Sequence, residues 1–190
     1  MLCSASLLFN RKKLNEIDLF IEWIISLISE NLYPGVFLAA FIETIFPPIP
    51  SEAVFPLAGY VILQNEMSFI HVIGVGLTGG FGATLGATII YLIALKLGRT
   101  GLTKYLKYAK IKESSLKKAD KWFEKYGDKS VIVGRLIPGI RELVSIPAGI
   151  FNMKPIKFLF YTCIGSCTWS ITLTAIGYYF GTVTLDFFNA

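Results

Sequence analysis

Residues 41–60 read "FIETIFPPIPSEAVFPLAGY", an apolar stretch that carries two carboxylates, Glu43 and Glu52. Four prolines interrupt it, and each proline removes a backbone donor and clashes with the preceding helical turn. Irregular backbone at membrane depth has to be shielded by protein or line a wet cavity. The stretch therefore predicts a re-entrant hairpin, in which a helix enters the membrane, turns at depth and leaves on the same side. The predicted residues of the hairpin tip are Pro47, Pro48 and Pro50.

The composition of the chain is that of an integral membrane protein. Of its 190 residues, 54% are hydrophobic and only 16% are charged, whereas soluble domains are about 45–50% apolar and about 25% charged. Residues 67–95 and 158–185 contain no Asp, Glu, Lys or Arg. Each run is longer than the roughly 20 apolar residues that cross the hydrocarbon core of a bilayer. We expect an all-α membrane protein with two clean spanning helices.

A second broken segment precedes the second span. Residues 131–151 read "VIVGRLIPGIRELVSIPAGIF", and this apolar stretch carries two arginines, Arg135 and Arg141. Pro138 and Gly139 stand between them, so the spacing of six residues fits two sides of a turn better than one helical face. A second re-entrant hairpin is predicted, with Pro138 and Gly139 at its tip.

The two broken segments resemble each other when the sequence is shifted by ninety residues. The aligned pairs are Pro48 with Pro138, Glu52 with Glu142, Ala58 with Ala148 and Gly59 with Gly149. The chain thus reads as two repeats of a hairpin followed by a spanning helix, about 34–97 and about 130–181, within a single membrane domain 14–190. Because one helix crosses the membrane between the hairpins, the repeats are predicted to be inverted, with the hairpin tips meeting near the midplane.

The remaining segments are polar or amphipathic. Residues 96–129 hold eleven basic and four acidic side chains, a bias that predicts a cytoplasmic location. This range includes the predicted linker 98–129. Within it, residues 115–126 predict an amphipathic helix on the inner leaflet, and residues 14–33 predict another surface helix. Residues 1–13 are interpreted as an N-terminal extension. Nucleic acid, the other partner of basic segments, is not expected beside membrane spans.

The charged side chains of the broken segments suggest ion-coupled transport. Arg135 and Arg141 offer planar, permanently charged donors that match a phosphate. Glu43 and Glu52 lie in an apolar stretch and could bind and release protons. The structural alternative is that Glu43 or Glu52 pairs with one of the arginines and simply locks the hairpins together. Both interpretations remain open at this point.

The motifs that carry these residues resemble a known family. "FIETIFPPIPSEAVFPLAGY", "GRLIPGIRELVSIPAGIFNM" and "GSCTWSITLTAIGYYFG" are similar to the DedA family of bacterial inner-membrane proteins, which share the VTT domain, over roughly residues 17–181. The resemblance implies two inverted repeats with re-entrant hairpins. It also implies a lipid flippase in the plasma membrane that moves undecaprenyl phosphate or a related anionic phospholipid, driven by the proton or sodium gradient.

The important residues of that family fall on charged positions of this chain. Its acidic pair corresponds to Glu43 and Glu52, although many members have Asp in the second place, and its arginines correspond to Arg135 and Arg141. The chain departs from the family at both ends. Residues 1–13 precede the usual start, and many members continue beyond the position of Ala190 into a further helix. A homodimer is left open.

Two other functions compete with a coupled transporter. An uncoupled lipid scramblase or envelope-homeostasis protein would share every sequence feature and differ only in its independence of a gradient. A lipid pyrophosphate phosphatase is disfavoured because phosphate chemistry commonly uses histidine, and the single histidine, His71, lies outside both hairpins.

No cofactor or metal is expected. Cys163 and Cys167 lie four residues apart in an apolar helix without histidine or carboxylate nearby, so they are interpreted as packing residues. The chain has no nucleotide-binding motif, and direct driving by ATP is not expected.

Overall fold

The described part of the protein is built from helices and the turns that join them. The structure, a computed structural model, describes residues 31–45, 51–108, 113–141 and 143–189, together with Ser26 and Ile28. Within these residues there is no β-strand, in agreement with the predicted all-α fold. The α-helices are α1 (Leu32–Ile45), α2 (Ser51–Gln64), α3 (Ile70–Tyr108), α4 (Glu113–Tyr126), α5 (Ser130–Arg135), α6 (Ser145–Ile150) and α7 (Pro155–Asn189).

Two of these helices are long and apolar enough to cross a membrane. The candidate spans are Ile70–Gly98 in α3 and Pro155–Gly181 in α7, with 29 and 27 residues. At 1.5 Å per residue, either would cover about 40 Å, more than the hydrocarbon core of a bilayer. Helix α3 is broken at Gly98, whose φ of 59° lies in the left-handed region that glycine adopts without strain. The two predicted spans are confirmed, and the break lies where the predicted polar segment begins.

The first broken segment contains two helices of 14 residues each, α1 and α2. The predicted tip residues Pro47, Pro48 and Pro50 lie between these helices, outside the described residues. Pro56 does not end a helix, because it lies inside α2. Most of the predicted surface helix 14–33 and all of the extension 1–13 also lie outside the described residues.

The second broken segment is shorter, and its turn is described except for Glu142. Helices α5 and α6 have six residues each and are joined by a turn that contains Pro138 and Gly139, as predicted. Gly139 has a φ of 76°, a conformation that side chains rarely adopt, so glycine is needed there. Both residues of this turn are exposed.

The two broken segments pack against the long helices in a corresponding way. Helices α1 and α5 contact the long helix that follows them in the sequence, α3 and α7 respectively. Helices α2 and α6 contact the other long helix, so that α2 packs on α7 and α6 packs on α3. Glycine allows the close contacts of α2 with α7 and of α6 with α3. A Cβ on Gly59 would lie 2.7 Å from the Tyr178 nitrogen, and one on Gly149 would lie 2.6 Å from the Tyr91 carbonyl oxygen.

The amphipathic helix predicted at 115–126 corresponds to α4. Phe123 is buried and stacks on Phe151, with 5.3 Å between ring centroids, whereas Lys121 and Lys125 are exposed. Just after α4, Asp128 accepts a hydrogen bond from the Lys157 ammonium group at 3.0 Å. These contacts attach α4, with Phe123 inward, to the end of α6, and they attach the turn after α4 to the start of α7.

Candidate functional site

Arg135 is the last residue of α5 and is only 4% exposed. Its Nη2 donates a hydrogen bond of 2.8 Å to Oγ of Ser145, the fully buried first residue of α6. The guanidinium group therefore connects the two helices of the second broken segment across their turn. Gly165 of α7 leaves room for the Arg135 side chain, since a Cβ on Gly165 would lie 2.6 Å from the Arg135 Cβ.

Arg141 lies in the turn between α5 and α6 and is 6% exposed. Its Nη2 donates to Oε1 of Glu43 at 2.5 Å, and its Cζ lies 5.7 Å from the centroid of the Trp169 ring. Ion pairing and a cation–π contact thus fix this guanidinium group from two sides. The site joins helices that are distant in sequence, because Glu43 and Arg141 are 98 residues apart.

Glu43 is completely buried near the end of α1. Val36, Ala39 and Ala40 are buried with it, at the spacing of one helical face. A charge at this depth of a membrane protein is usually paired, because its desolvation costs about 2.5–3.5 kcal/mol on the insertion scale. The contact that was considered as a structural lock between the two broken segments is formed, by Glu43 and Arg141.

Glu52 lies elsewhere. It is exposed in the first turn of α2, so the expectation of a desolvated carboxylate is wrong for this residue. The structure therefore brings three of the four predicted charged residues to the buried region, namely Glu43, Arg135 and Arg141.

A small cavity lies beside both arginines. Its empty volume is about 200 Å³, including the part open to solvent. The lining residues, contributed by α3, α5, the following turn and α7, are Ala83, Arg135, Arg141, Ser166, Trp169 and Ser170. Positive charge dominates this lining, which makes the cavity suited to an oxyanion.

Apart from Ala83, three residues of this lining were not predicted from the sequence. Ser166, Trp169 and Ser170 belong to the run "GSCTWS" at 165–170, in the middle of the second span. Their spacing of three and four residues places them on one face of α7. That spacing was the available signal, but small polar residues on an apolar helix more often serve helix packing.

Other candidate ligands contribute nothing to this site. No group of three or more His, Cys, Asp or Glu residues that could hold a metal occurs among the described residues. The Sγ atoms of Cys163 and Cys167 are 4.0 Å apart, and a ring nitrogen of His71 lies 3.1 Å from the carbonyl oxygen of the nearby Ser68. The cavity thus depends on arginine, hydroxyl and indole groups.

Comparison with known proteins agrees with the motifs. The VTT domain matches residues 49–179, more than half of the chain. Undecaprenyl phosphate transporter A of Bacillus subtilis (strain 168) is 37% identical over 163 residues, covering 82% of this chain and 79% of the relative. The transporter of the same name from Staphylococcus aureus (strain NCTC 8325 / PS 47) is 30% identical over 154 residues, covering 79% and 74%.

A third relative carries a different name. The alkaline phosphatase-like protein of Lactococcus lactis subsp. lactis (strain IL1403) is 37% identical over 161 residues, covering 82% of this chain and 74% of the relative. No solved structure matches the chain. The resemblance drawn from the paired motifs is confirmed, and the chain belongs to the VTT-domain, or DedA, family of membrane proteins.

Proposed function

We propose that this chain is a lipid flippase of the plasma membrane that translocates undecaprenyl phosphate or a related anionic phospholipid. The observation that carries the proposal is the small cavity lined by the buried residues Arg135 and Arg141, with Glu43 bound to one of them. The names of the Bacillus and Staphylococcus relatives support a polyprenyl phosphate as the substrate. In this proposal, the two guanidinium groups bind the phosphate of the head group.

Coupling to an ion gradient would follow from competition for Arg141. With Glu43 ionised, the carboxylate binds the Nη2 donor of Arg141, and the buried cluster carries two positive charges and one negative charge. Protonation of Glu43 removes the negative charge and leaves Arg141 available to a phosphate oxygen. Proton uptake would thereby favour substrate binding, and proton release would favour substrate release.

Glu52 has a different part in the proposal. Its exposure in the first turn of α2 suits a carboxylate that exchanges protons with water near the site. We place Glu52 on the path by which protons or sodium ions reach the buried Glu43. Protons or sodium ions would then reach Glu52 first and Glu43 after it, so the two acidic residues would not share one binding site.

The proposed architecture is that of two inverted repeats with re-entrant hairpins. The corresponding contacts of α1 with α3 and of α5 with α7 support it, as do the exchanged contacts of α2 and α6. The Glu43–Arg141 pair joins the two broken segments, as expected for hairpin tips that meet. With the basic segment 96–129 in the cytoplasm, the hairpins would enter from opposite sides of the bacterial inner membrane.

Translocation of labelled undecaprenyl phosphate in proteoliposomes tests this function. The assay compares wild type with R135A, R141A and E43Q, with and without an imposed pH or sodium gradient. We expect wild type to transport the lipid in a way that depends on one of the gradients. Both arginine variants should lose this transport. For E43Q we expect movement that no longer responds to the gradient.

The matched control is E124Q, which neutralises an exposed glutamate of α4 outside the cavity. It should transport like wild type. Wild-type protein that moves no polyprenyl phosphate under either gradient would contradict the proposal. Movement in R135A and R141A at the wild-type rate would contradict the assignment of the arginines.

Two alternatives give different results in the same vesicles. An uncoupled scramblase would move lipid equally well without a gradient. A phosphatase, which the name of the Lactococcus relative suggests, would release inorganic phosphate from a lipid pyrophosphate. The cavity does not favour that reaction, because its lining offers hydroxyl groups without a histidine or free carboxylate to activate them.

A further inference from the structure

Beside the cavity, two buried polar groups of α7 have no hydrogen-bond partner in the described part of the chain. They are Oγ of Ser166 and Nε1 of Trp169, and both residues line the cavity beside the arginines. Ser166 is only 5% exposed, so water at the surface of the protein does not account for its hydroxyl group. Buried polar groups are normally hydrogen-bonded, and an exception calls for a ligand, an ion or ordered water.

Two other hydroxyl groups of α7 are satisfied within the helix. Thr172 and Thr174 each donate to the carbonyl oxygen four residues earlier, at 2.7 Å. This local bond is the usual solution for a hydroxyl group on an apolar helix. Ser166 has a carbonyl oxygen at the corresponding position and does not bond to it. Its hydroxyl group is therefore available to the cavity.

The chemistry of Trp169 restricts what the cavity can hold. An indole N–H is a donor and never an acceptor, so only a ligand with an acceptor atom satisfies it. The adjacent guanidinium groups of Arg135 and Arg141 are also donors only. A cation is thus excluded as the ligand, and an oxyanion with several acceptor atoms fits all three residues.

Trp169 has a second role through its ring. Its ring centroid lies 5.7 Å from Cζ of Arg141, and the same guanidinium group binds Glu43 through Nη2. The N–H at the ring edge and the arginine on the ring face thus belong to one rigid unit. A phosphate bound by Arg141 would come within reach of the indole donor.

We propose that Ser166 and Trp169 are two further ligands of the phosphate and make the site selective for a lipid phosphomonoester. The inference rests on the proposed function and adds donors from α7 to the two arginines. A terminal monoester offers three unbridged oxygen atoms and a charge of about −2 near neutral pH, as a phosphorylated side chain does. A diester has fewer unbridged oxygen atoms and one negative charge, and satisfies fewer of these donors.

Binding of farnesyl phosphate, a short polyprenyl phosphomonoester, to the purified full chain tests this inference. The variants W169F and S166A each remove one donor while keeping most of the side-chain volume. The controls are W122F and T162V. Trp122 donates to Ser130 away from the cavity, and the buried hydroxyl group of Thr162 also lacks a partner in the described chain but does not line the cavity.

Each donor to a charged group contributes enough to measure. We expect W169F and S166A to bind farnesyl phosphate at least about tenfold more weakly than wild type, and W122F and T162V to bind within about twofold of it. S166T, which restores a hydroxyl group, should recover affinity. The methyl ester of farnesyl phosphate, a diester, should bind wild type more weakly and should distinguish the variants less.

Fluorescence gives a readout that a packing role for Trp169 would not change. In a W23F/W122F background Trp169 is the only tryptophan, and its emission should shift to longer wavelength when farnesyl phosphate accepts the indole hydrogen bond. Inorganic phosphate should produce the same shift at higher concentration if the anion alone is recognised, whereas farnesol should produce none.

The outcomes separate this inference from the proposed function. If wild type binds farnesyl phosphate and W169F and S166A bind it as tightly as T162V does, the inference is wrong. The transport proposal would still stand in that case. Wild type that binds neither farnesyl phosphate nor inorganic phosphate overturns both. A shift with farnesol equal to that with farnesyl phosphate also overturns the inference, because the lipid tail would then cause it.

Discussion

Replacing Arg141 by methionine should destabilise the protein strongly, because Glu43 would keep a buried charge without its partner. The side chains of Arg141 and Glu43 are 8% and 0% exposed, and their ion pair is 2.5 Å long. Removing one partner of a buried pair costs about 3–5 kcal/mol. For a chain of this length, 1 kcal/mol corresponds to about 2–4 °C, so we expect the melting temperature to fall by about 6–20 °C.

The double variant E43Q/R141M shows whether the cost comes from the unpaired charge. Replacing both partners removes both charges of the pair, so we expect the double variant to regain at least half of the lost stability. Acidification should also stabilise R141M, because burial favours the neutral form of a carboxyl group that has lost its guanidinium partner, here Glu43. The difference between R141M and wild type should therefore be smaller at pH 5 than at pH 8.

The assay is thermal unfolding of the detergent-purified chain at these two pH values. K157M is the matched control, because Lys157 also forms an ion pair, with Asp128, but is half exposed. It should melt like wild type at both pH values. An R141M protein as stable as K157M at pH 8, or a double variant no more stable than R141M, would refute the reasoning.

Three further predictions concern the helix contacts and the remaining carboxylate. G59L should lower the stability by about 1–3 kcal/mol or prevent folding, because α2 and α7 leave no room for a side chain there, whereas L85A on the exposed face of α3 should be near neutral in the same unfolding assay. S145A should cost about 1.5–3 kcal/mol by removing the acceptor of the buried Arg135 hydrogen bond, and S145T should recover part of it. E52Q should leave the melting temperature unchanged because Glu52 is exposed, but should abolish the gradient dependence of transport in proteoliposomes.

The sequence predicted the elements with strong local signals. The two charge-free spans correspond to parts of α3 and α7, since hydropathy and length alone identify a membrane helix. The turn at Pro138 and Gly139 was also correct, because these residues restrict the backbone locally. Pro56 did not predict a helix end, because the residue lies inside α2.

The contacts within the site depend on packing between distant segments and could be predicted only in part. Pairing between an acidic residue and an arginine was considered, but nothing in the sequence selects Glu43 with Arg141 over the other combinations. Glu52 was expected in the same buried region because it shares an apolar stretch with Glu43, yet it lies on the exposed side of its helix. Ser166 and Trp169 could not be assigned to the site from the sequence, because their position in the cavity lining depends on how α7 packs beside the arginines.

Competition between Glu43 and a lipid phosphate for Arg141 is the central claim, and the pH dependence of binding tests it most directly. Farnesyl phosphate affinity should be measured for wild type and E43Q from pH 5 to pH 8. The ratio of the two affinities at each pH cancels the ionisation of the phosphate itself. We predict that E43Q binds more tightly than wild type at pH 8 and that the ratio moves toward one as the pH falls and Glu43 takes up a proton. A ratio that stays constant with pH, or tighter binding by wild type at pH 8, would contradict the account.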